Sequence, residues 1–474
     1  MENTPRTDPP SRSSSESPSV KHLRYRVAVR RNKPARRLLR VVVGICVALY
    51  IQTSQVSGAR AAGFAITPQG AAATGKSAAF TAQADDPSAI YYNPAGISQL
   101  SAPEFLLGTT VIIPRTTYTP SPNQGGRKAR EENQTFFLPQ MYAVIPIGRD
   151  VTAGIGLFTP FGLATDWPID WDGRFQVTYI AVRATELNPT LSWRPAPWLS
   201  IAGGLDIAHV TLRQRRQINL SRVGENAGLG PLSGNPEGSV ELSGDATSVG
   251  SNVGLLITPS DRWQIGASLR SRLHAEENNG HADFTIPVPA LQPFFPDGKV
   301  RTEIDLPPVL RTGVLVRPLP QWNVELDVIW TGWSTIDRLV VEFDQGLPMP
   351  RDTTDFSWEN SLTYNLGTEY RWPSFALRGG YTLDYSPIPD DTISPLLPDG
   401  TRHWFSLGIG YNTPRWNIDL AYTLILIRRL KENNFGEQYS SSGAPPAILP
   451  IDARANGGYR NFTHVVGLST SYNF

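Results

Sequence analysis

Cysteine is almost missing from this chain: Cys46 is the only one in 474 residues. Whatever folds after it is therefore held by neither disulfides nor thiol chemistry. Histidine is scarce as well, six residues without paired spacing, so no metal-ligand set and no cofactor is implied. No apolar run is long enough for a membrane-spanning helix, because the longest, Val41 to Ile51, has about 11 residues where roughly 20 are needed. After residue 100 there is no sustained helical periodicity either. Excess positive charge is also lacking where it would matter. Twelve of the 43 lysines and arginines but only three of the 42 carboxylates precede residue 62, which leaves the remainder at a net charge of −8. An acidic remainder gives a nucleic-acid partner no support.

What the chain does have falls into three parts, 1–61, 62–102 and 103–474. The first joins a Ser/Pro-rich extension and a basic stretch, Lys21 to Arg40, to the short apolar run and the small residues Ala59-Arg60-Ala61. That order describes a secretory signal peptide with a long leading region, cut near Ala61. Ile45 stands before Cys46 where a lipoprotein signal needs a small residue, so no lipid anchor is expected. The second part, Ala62 to Leu100, is rich in Ala, Gly and Ser, too weakly apolar and too interrupted by glycine for a strand. It reads as the contents of a container whose wall is the third part.

That wall is predicted from period two. Trp416, Ile418, Leu420, Tyr422, Leu424 and Leu426 share one face and Asn417, Asp419, Ala421 and Thr423 the other, and Trp322 to Trp330 and Phe405 to Tyr411 repeat the pattern. Tight turns at 147–150, 195–197, 259–261, 318–321, 372–374 and 412–414 alternate with longer polar or Pro/Gly-rich connections. This asymmetry predicts an all-β, antiparallel transmembrane barrel of about 14 strands with short periplasmic turns, long outer loops and a partly helical hatch in its lumen. Trp193, Trp198, Trp263, Trp322, Trp372 and Trp416 gather at the short turns, as an interfacial aromatic girdle does. A barrel this wide is too large for side chains to fill, so residues 62–102 are the expected plug.

Ala62-Gly63-Phe64, Asp85-Asp86 with Asn93-Pro94-Ala95, Phe161 to Thr165, Leu187-Asn188-Pro189, Leu326-Asp327 with Trp330 and Trp333-Ser334, Ser386-Pro387 with Pro398-Asp399, and the terminal Tyr472-Asn473-Phe474 recur in order along the chain. Together they resemble the FadL-type outer-membrane transporters of long-chain fatty acids and other hydrophobic compounds. The resemblance implies a Gram-negative outer membrane, a hatch that shifts near Asn93, Pro94 and Ala95, and a kinked third strand that leaves a hole in the wall. It also implies a ligand-capturing groove on the third and fourth outer loops, and a terminal aromatic read by the barrel-assembly machinery. Gly154, Gly156, Pro160 and Gly162 give the kink local support, since both residue types interrupt strand pairing. Phe284, Ile286, Val288, Leu291, Phe294 and Phe295 on the fourth loop, with Ile218, Leu220, Val223, Leu229 and Leu232 on the third, make an apolar binding surface or a cap, and both can hold at once.

Gly70 to Ser77 matches the phosphate-cradling pattern G-x-x-x-x-G-K-[ST], but its place ahead of any strand argues against a nucleotide site; close packing of Gly70 and Gly75 on the wall is the expectation. His403 and His464 lie on strands and suit wall positions better than catalysis, so an enzyme is not expected. Asp206, Arg270, Arg311, Glu325, Asp327, Glu369, Arg378 and Asp419 fall on the inward register, where ion pairs tie hatch to wall. A cation is also wanted to meet a ligand carboxylate. Arg270 is a candidate by register, and Arg213 and Arg215 by resemblance, with a register one residue off flipping their face. The expected function is passive uptake of hydrophobic molecules, first long-chain fatty acids. Channels for monoaromatic hydrocarbons, a general porin and a surface adhesin are the alternatives. Outer-membrane lipid is the surrounding partner.

Overall fold

A computed structural model describes residues 63–121, 126–226, 228–230, 232–344, 351–389, 392–431 and 455–474. The extension, signal peptide and Cys46 lie outside the described residues, as does Ala62. Fourteen antiparallel strands form the wall: β1 (Glu104–Pro120), β2 (Phe136–Ile147), β3 (Val151–Asp166), β4 (Tyr179–Ala196), β5 (Leu199–Asn219), β6 (Glu237–Ser260), β7 (Trp263–Arg270 continued by Leu273–Thr285), β8 (Gly298–Leu306 and Val309–Leu319), β9 (Trp322–Thr331 and Arg338–Phe343), β10 (Arg351–Asp355 and Ser361–Arg371), β11 (Phe375–Asp384), β12 (Arg402–Asn412), β13 (Trp416–Lys431) and β14 (Gly457–Asn473). Each strand pairs with the next, and β1 pairs with β14 from Glu104 opposite Asn473 to Pro120 opposite Gly457. The sheet therefore closes, leaving no edge at its ends, which is what a strand structure in lipid must do. Both chain ends of the wall meet on the side of the six tight turns.

Alternation sets which face meets lipid. Leu407, Ile409 and Leu420 stand exposed on the outside, while Ser406, Asp419 and Thr423 between them are buried inward. All eight charges assigned to the inward register are buried, as a charge facing hydrocarbon would cost about 2–4 kcal/mol at mid-depth. At the tight-turn end Trp193, Trp263, Trp372 and Trp416 are about half exposed, forming the aromatic level. His403 and His464 each meet a tyrosine hydroxyl at 2.8 Å, Tyr381 and Tyr422, on the wall.

Residues 63–102 lie within the lumen. They form two single turns of helix, α1 (Ala71–Thr74) and α2 (Ala89–Tyr92), and a 3-10 segment, Pro94–Gln99, joined by irregular backbone. Gly75 shows why the wall is rich in glycine here. A Cβ on Gly75 would come within 2.8 Å of Gly408 Cα, and one on Gly266 within 2.1 Å of the Thr81 carbonyl oxygen. Such irregular backbone needs partners for its N–H groups, and wall carboxylates supply them. Glu325 accepts from Ala82 N at 2.6 Å, Gln83 N at 3.1 Å and Lys76 Nζ at 2.9 Å. Asp327 accepts from Phe80 N and Thr81 N, each at 3.0 Å. Lys76, the residue that completes the phosphate-type pattern, is thus spent on an ion pair with Glu325, and no strand precedes α1 among the described residues.

Candidate functional site

The third strand is where the wall departs from regularity. β2 and β3 pair only between Met141 opposite Leu157 and Ile147 opposite Val151, although β2 starts at Phe136 and β3 continues to Asp166. Beyond Leu157 the register of β3 against β4 slips between Phe158 and Phe161, with Thr159 and Pro160 accommodated in the slip. Proline offers no N–H to a ladder, and the added length turns the strand away from β2. Phe136 to Gln140 keep β1 as neighbour and lose β3.

The start of the hatch takes up the vacated edge. Ile66 N donates to the Pro160 carbonyl at 2.8 Å, Gly162 N donates to the Phe64 carbonyl at 2.9 Å, and Ala65 bridges Phe161. Behind this graft lies a cavity of about 250 Å³, with Ile66, Phe136, Leu138, Leu163, Val182 and Trp404 in its lining. Outward residues of β4, Tyr179 and Arg183, line the same cavity, so it reaches through the wall at the β2–β3 separation. Gly154 and Gly156 lie below the separation and admit Ile90 of the hatch, whose side-chain carbons come within 2.9 and 3.1 Å of a built Cβ. Gly162 admits Ile66 in the same way, at 2.7 Å.

A second, smaller cavity of about 40 Å³ lies on the other side of residues 63–67. Tyr91, Glu186, Asp206, Arg270, Arg311 and Trp333 are among its lining, and it shares Ala65 and Trp404 with the first cavity. Its size admits water only. Arg270 is paired with carboxylates there, bonded to Glu186 at 2.5 Å, Asp206 at 2.7 Å and the Ile90 carbonyl at 2.9 Å. Arg311 is not. Its Nη2 donates to Tyr91 Oη at 2.8 Å and its guanidinium lies 4.5 Å from the Tyr91 ring centre, while Nε and Nη1 are buried without partners among the described residues. The register pattern had placed Arg311 inward; nothing in the sequence separated it from the paired charges around it.

Arg213 and Arg215 require correction. The expectation put them in the lumen at the outer end of β5, but both share the parity of Ile201, Leu205 and His209, which face outward. They flank Glu241 of β6 on the outer surface, Arg213 Nε at 2.6 Å and Arg215 Nε at 3.2 Å. The fourth-loop residues gather with the third loop instead of lying open. Ile286, Leu291 and Phe295 are buried with Ile218, Leu220 and Val223, and Phe284 and Val288 pack on the margin of that cluster. Phe294 and Leu229 are the large apolar side chains these loops leave exposed. Asn93 binds hatch to wall, its Nδ2 donating to the carbonyls of Thr81 at 2.9 Å and Leu255 at 3.0 Å, and Pro94 and Ala95 follow it, buried.

Missed by sequence reasoning is an aromatic cluster at the outer end of the lumen. Phe64 of the hatch packs edge-on against Phe161 at 5.9 Å and Trp333 at 5.1 Å, and Trp358 lies 6.0 Å away. Trp167 and Trp171 stack at 4.5 Å in the same core. Its members come from the hatch, from β3 and from separate outer segments, and no local spacing announces it.

A long-chain fatty acid transport protein of Escherichia coli O6:H1 is 24% identical over 353 residues, which cover 69% of this chain and 78% of that one. The crystal structure of a Pseudomonas aeruginosa FadL homologue superposes with a TM-score of 0.73 at 19% identity, covering 87% of this chain and all of that one. The structure of the CymD monoaromatic hydrocarbon channel superposes with a TM-score of 0.63 at 16% identity, over 87% and 99% of the two chains. A family model described as outer membrane protein transport protein (OMPP1/FadL/TodX) matches residues 52–474. The chain belongs to that outer-membrane transport family.

Proposed function

We propose that this member of a family of outer-membrane transporters for hydrophobic compounds takes up long-chain fatty acids passively and releases them sideways into the bilayer. The observation that carries this reading is the β2–β3 separation, filled by hatch residues 64–66 and opening on an apolar cavity. Exposed Phe294 and Leu229 offer first contact on the outer loops. Displacing residues 63–67 would merge the two cavities that they divide, giving an elongated apolar pocket with Arg311 at one end. Such a pocket suits a chain with an anionic head, since a carboxylate leaves water readily only for a charge-assisted partner. Among the candidate cations Arg311 has unspent donors, whereas Arg270 is neutralised by Glu186 and Asp206, and Arg213 and Arg215 face away. Movement at Asn93-Pro94-Ala95 then lets the ligand pass the hatch, and exit through the wall spares a greasy molecule the polar layer outside the membrane.

A monoaromatic hydrocarbon is the second reading, favoured by one observation. The lateral cavity of about 250 Å³ is already large enough for a single aromatic ring without any hatch movement. Equilibrium binding of a fluorescent long-chain fatty acid to the purified protein, competed by oleate and by toluene, separates the two. Displacement by oleate supports the fatty-acid reading and displacement by toluene alone the aromatic one. Absence of saturable binding would remove both, leaving the porin and adhesin alternatives.

A further inference from the structure

We propose that the outer surface of β4 and β5 holds a phosphorylated glycolipid of the outer leaflet, through Arg183, Arg213 and Arg215. The register places the three on adjoining rungs of one face. Tyr179, Arg215 and Glu241 stand side by side across β4, β5 and β6, then Ala181, Arg213 and Ser243, then Arg183, Thr211 and Asp245. Diagonal neighbours across an antiparallel pair lie about 7–8 Å apart, so one acidic head group can reach all three guanidiniums. Arg213 and Arg215 remain 55% and 41% exposed although Glu241 lies between them, so one carboxylate serves two cations and leaves guanidinium donors free. Tyr179 supports Arg215 from below, its ring centre 5.7 Å from the guanidinium carbon. Asp166, opposite Tyr179 on β3, and Asp283, opposite Glu241 on β7, stand at the two ends of the first rung, and Asp245 on the third faces His209 at 3.9 Å.

The height of the patch fits a lipid head. Arg183 lies about ten residues along β4 from Trp193, the length a tilted strand needs to cross the hydrocarbon layer. Below it the same face shows Leu187, Leu191 and Leu205, exposed to acyl chains. Beside it a surface groove of about 440 Å³ runs between Tyr179, Thr211, Arg213, Ser243 and His281. A lipid with phosphate above and several acyl chains below complements this surface in charge and in polarity. Arg183 and Tyr179 also line the lateral cavity, so the bound lipid would sit beside its mouth.

The test is native mass spectrometry of the full-length protein, purified from outer membranes, with bis-phosphorylated lipid A added in detergent. One lipid A is expected to remain bound, and the triple variant Arg183→Gln, Arg213→Gln, Arg215→Gln should weaken it about 10- to 100-fold, the loss expected of three solvent-exposed charge pairs. Glu241→Gln, which frees both of its arginines, should strengthen it and provides a reading if the triple variant does not assemble. Equal retention of dephosphorylated lipid A, equal displacement by phosphatidylglycerol, or an unchanged affinity in the triple variant or in Glu241→Gln would each overturn the proposal.

Discussion

Replacing Arg311 by methionine separates the ligand's head from its tail. In the wild type the guanidinium is buried with one hydrogen bond, to Tyr91, and two donors unsatisfied. The side chain therefore costs stability, since an unmet buried polar group costs about 1–3 kcal/mol, offset in part by the cation–π contact, about 2 kcal/mol when desolvated. Methionine keeps the packing volume and removes the charge, so the thermal midpoint should hold steady or rise. A carboxylate anchored there loses a charge-assisted bond, about 1.5–3 kcal/mol, which is roughly a 10- to 150-fold loss of affinity. Methyl oleate has the same tail and no charge, and its binding should not change. The assay is paired titration of oleate and methyl oleate against wild type and Arg311→Met, with thermal unfolding of both proteins. If oleate binds the variant as tightly as the wild type, or if both ligands weaken together, Arg311 is not the head-group partner.

Other consequences can be measured as directly. Thr159 and Pro160 stand against Thr185 alone, so deleting Pro160 removes the slip in β3 and should let it pair with β2 to the top, abolishing uptake while leaving fatty-acid binding in place; unimpaired uptake would contradict lateral release. Lys76→Met breaks a buried ion pair whose loss costs about 3–5 kcal/mol, and planar-bilayer recordings should show higher conductance as the hatch loosens. Gly266→Val would force a side chain into Thr81, 2.1 Å from its oxygen, and should raise conductance in the same recordings. In the first outer loop, burial pushes the Glu131 carboxyl from about 4.5 up to about 8, only partly offset by its hydrogen bond with Thr116. The folded loop thus keeps a proton that the unfolded chain has released, so stability falls as pH rises from about 4.5 through 8, and Glu131→Gln should flatten the fall in thermal midpoint between pH 6 and 9.

The barrel was legible because its physics is periodic. Lipid on one side and hatch on the other force alternation, and Trp416 to Leu426 states it without ambiguity. The hatch was legible through composition, as small residues where a wall must come close. The site was less so. Period two leaves a strand's face undetermined by one residue, and near Arg213 and Arg215 the apolar Val210 and Leu212 face the core, so apolarity there does not mark the lipid side. Arg311 was visible as an inward charge, but that it lacks a carboxylate depends on three strands distant in sequence, where Glu186 and Asp206 are committed to Arg270. The loop residues Ile286, Leu291 and Phe295 read either as a binding surface or as a cap, and the structure buries them against the third loop.

The seam between β1 and β14 dictates an order of assembly. Gly63 reaches Asp399, 336 positions away, and Ala71 reaches Ser469, 398 positions away. Hatch residues precede β1 in the chain, and while some of their partners emerge early, on β1 to β3, others emerge last. The hatch is consequently only partly tied while the wall is built, and must be inside before the final strand shuts against the first. Contacts this distant in sequence make such a ring slow to finish, and the last strand, ending in Phe474, is the one that both closes the circle and traps the plug.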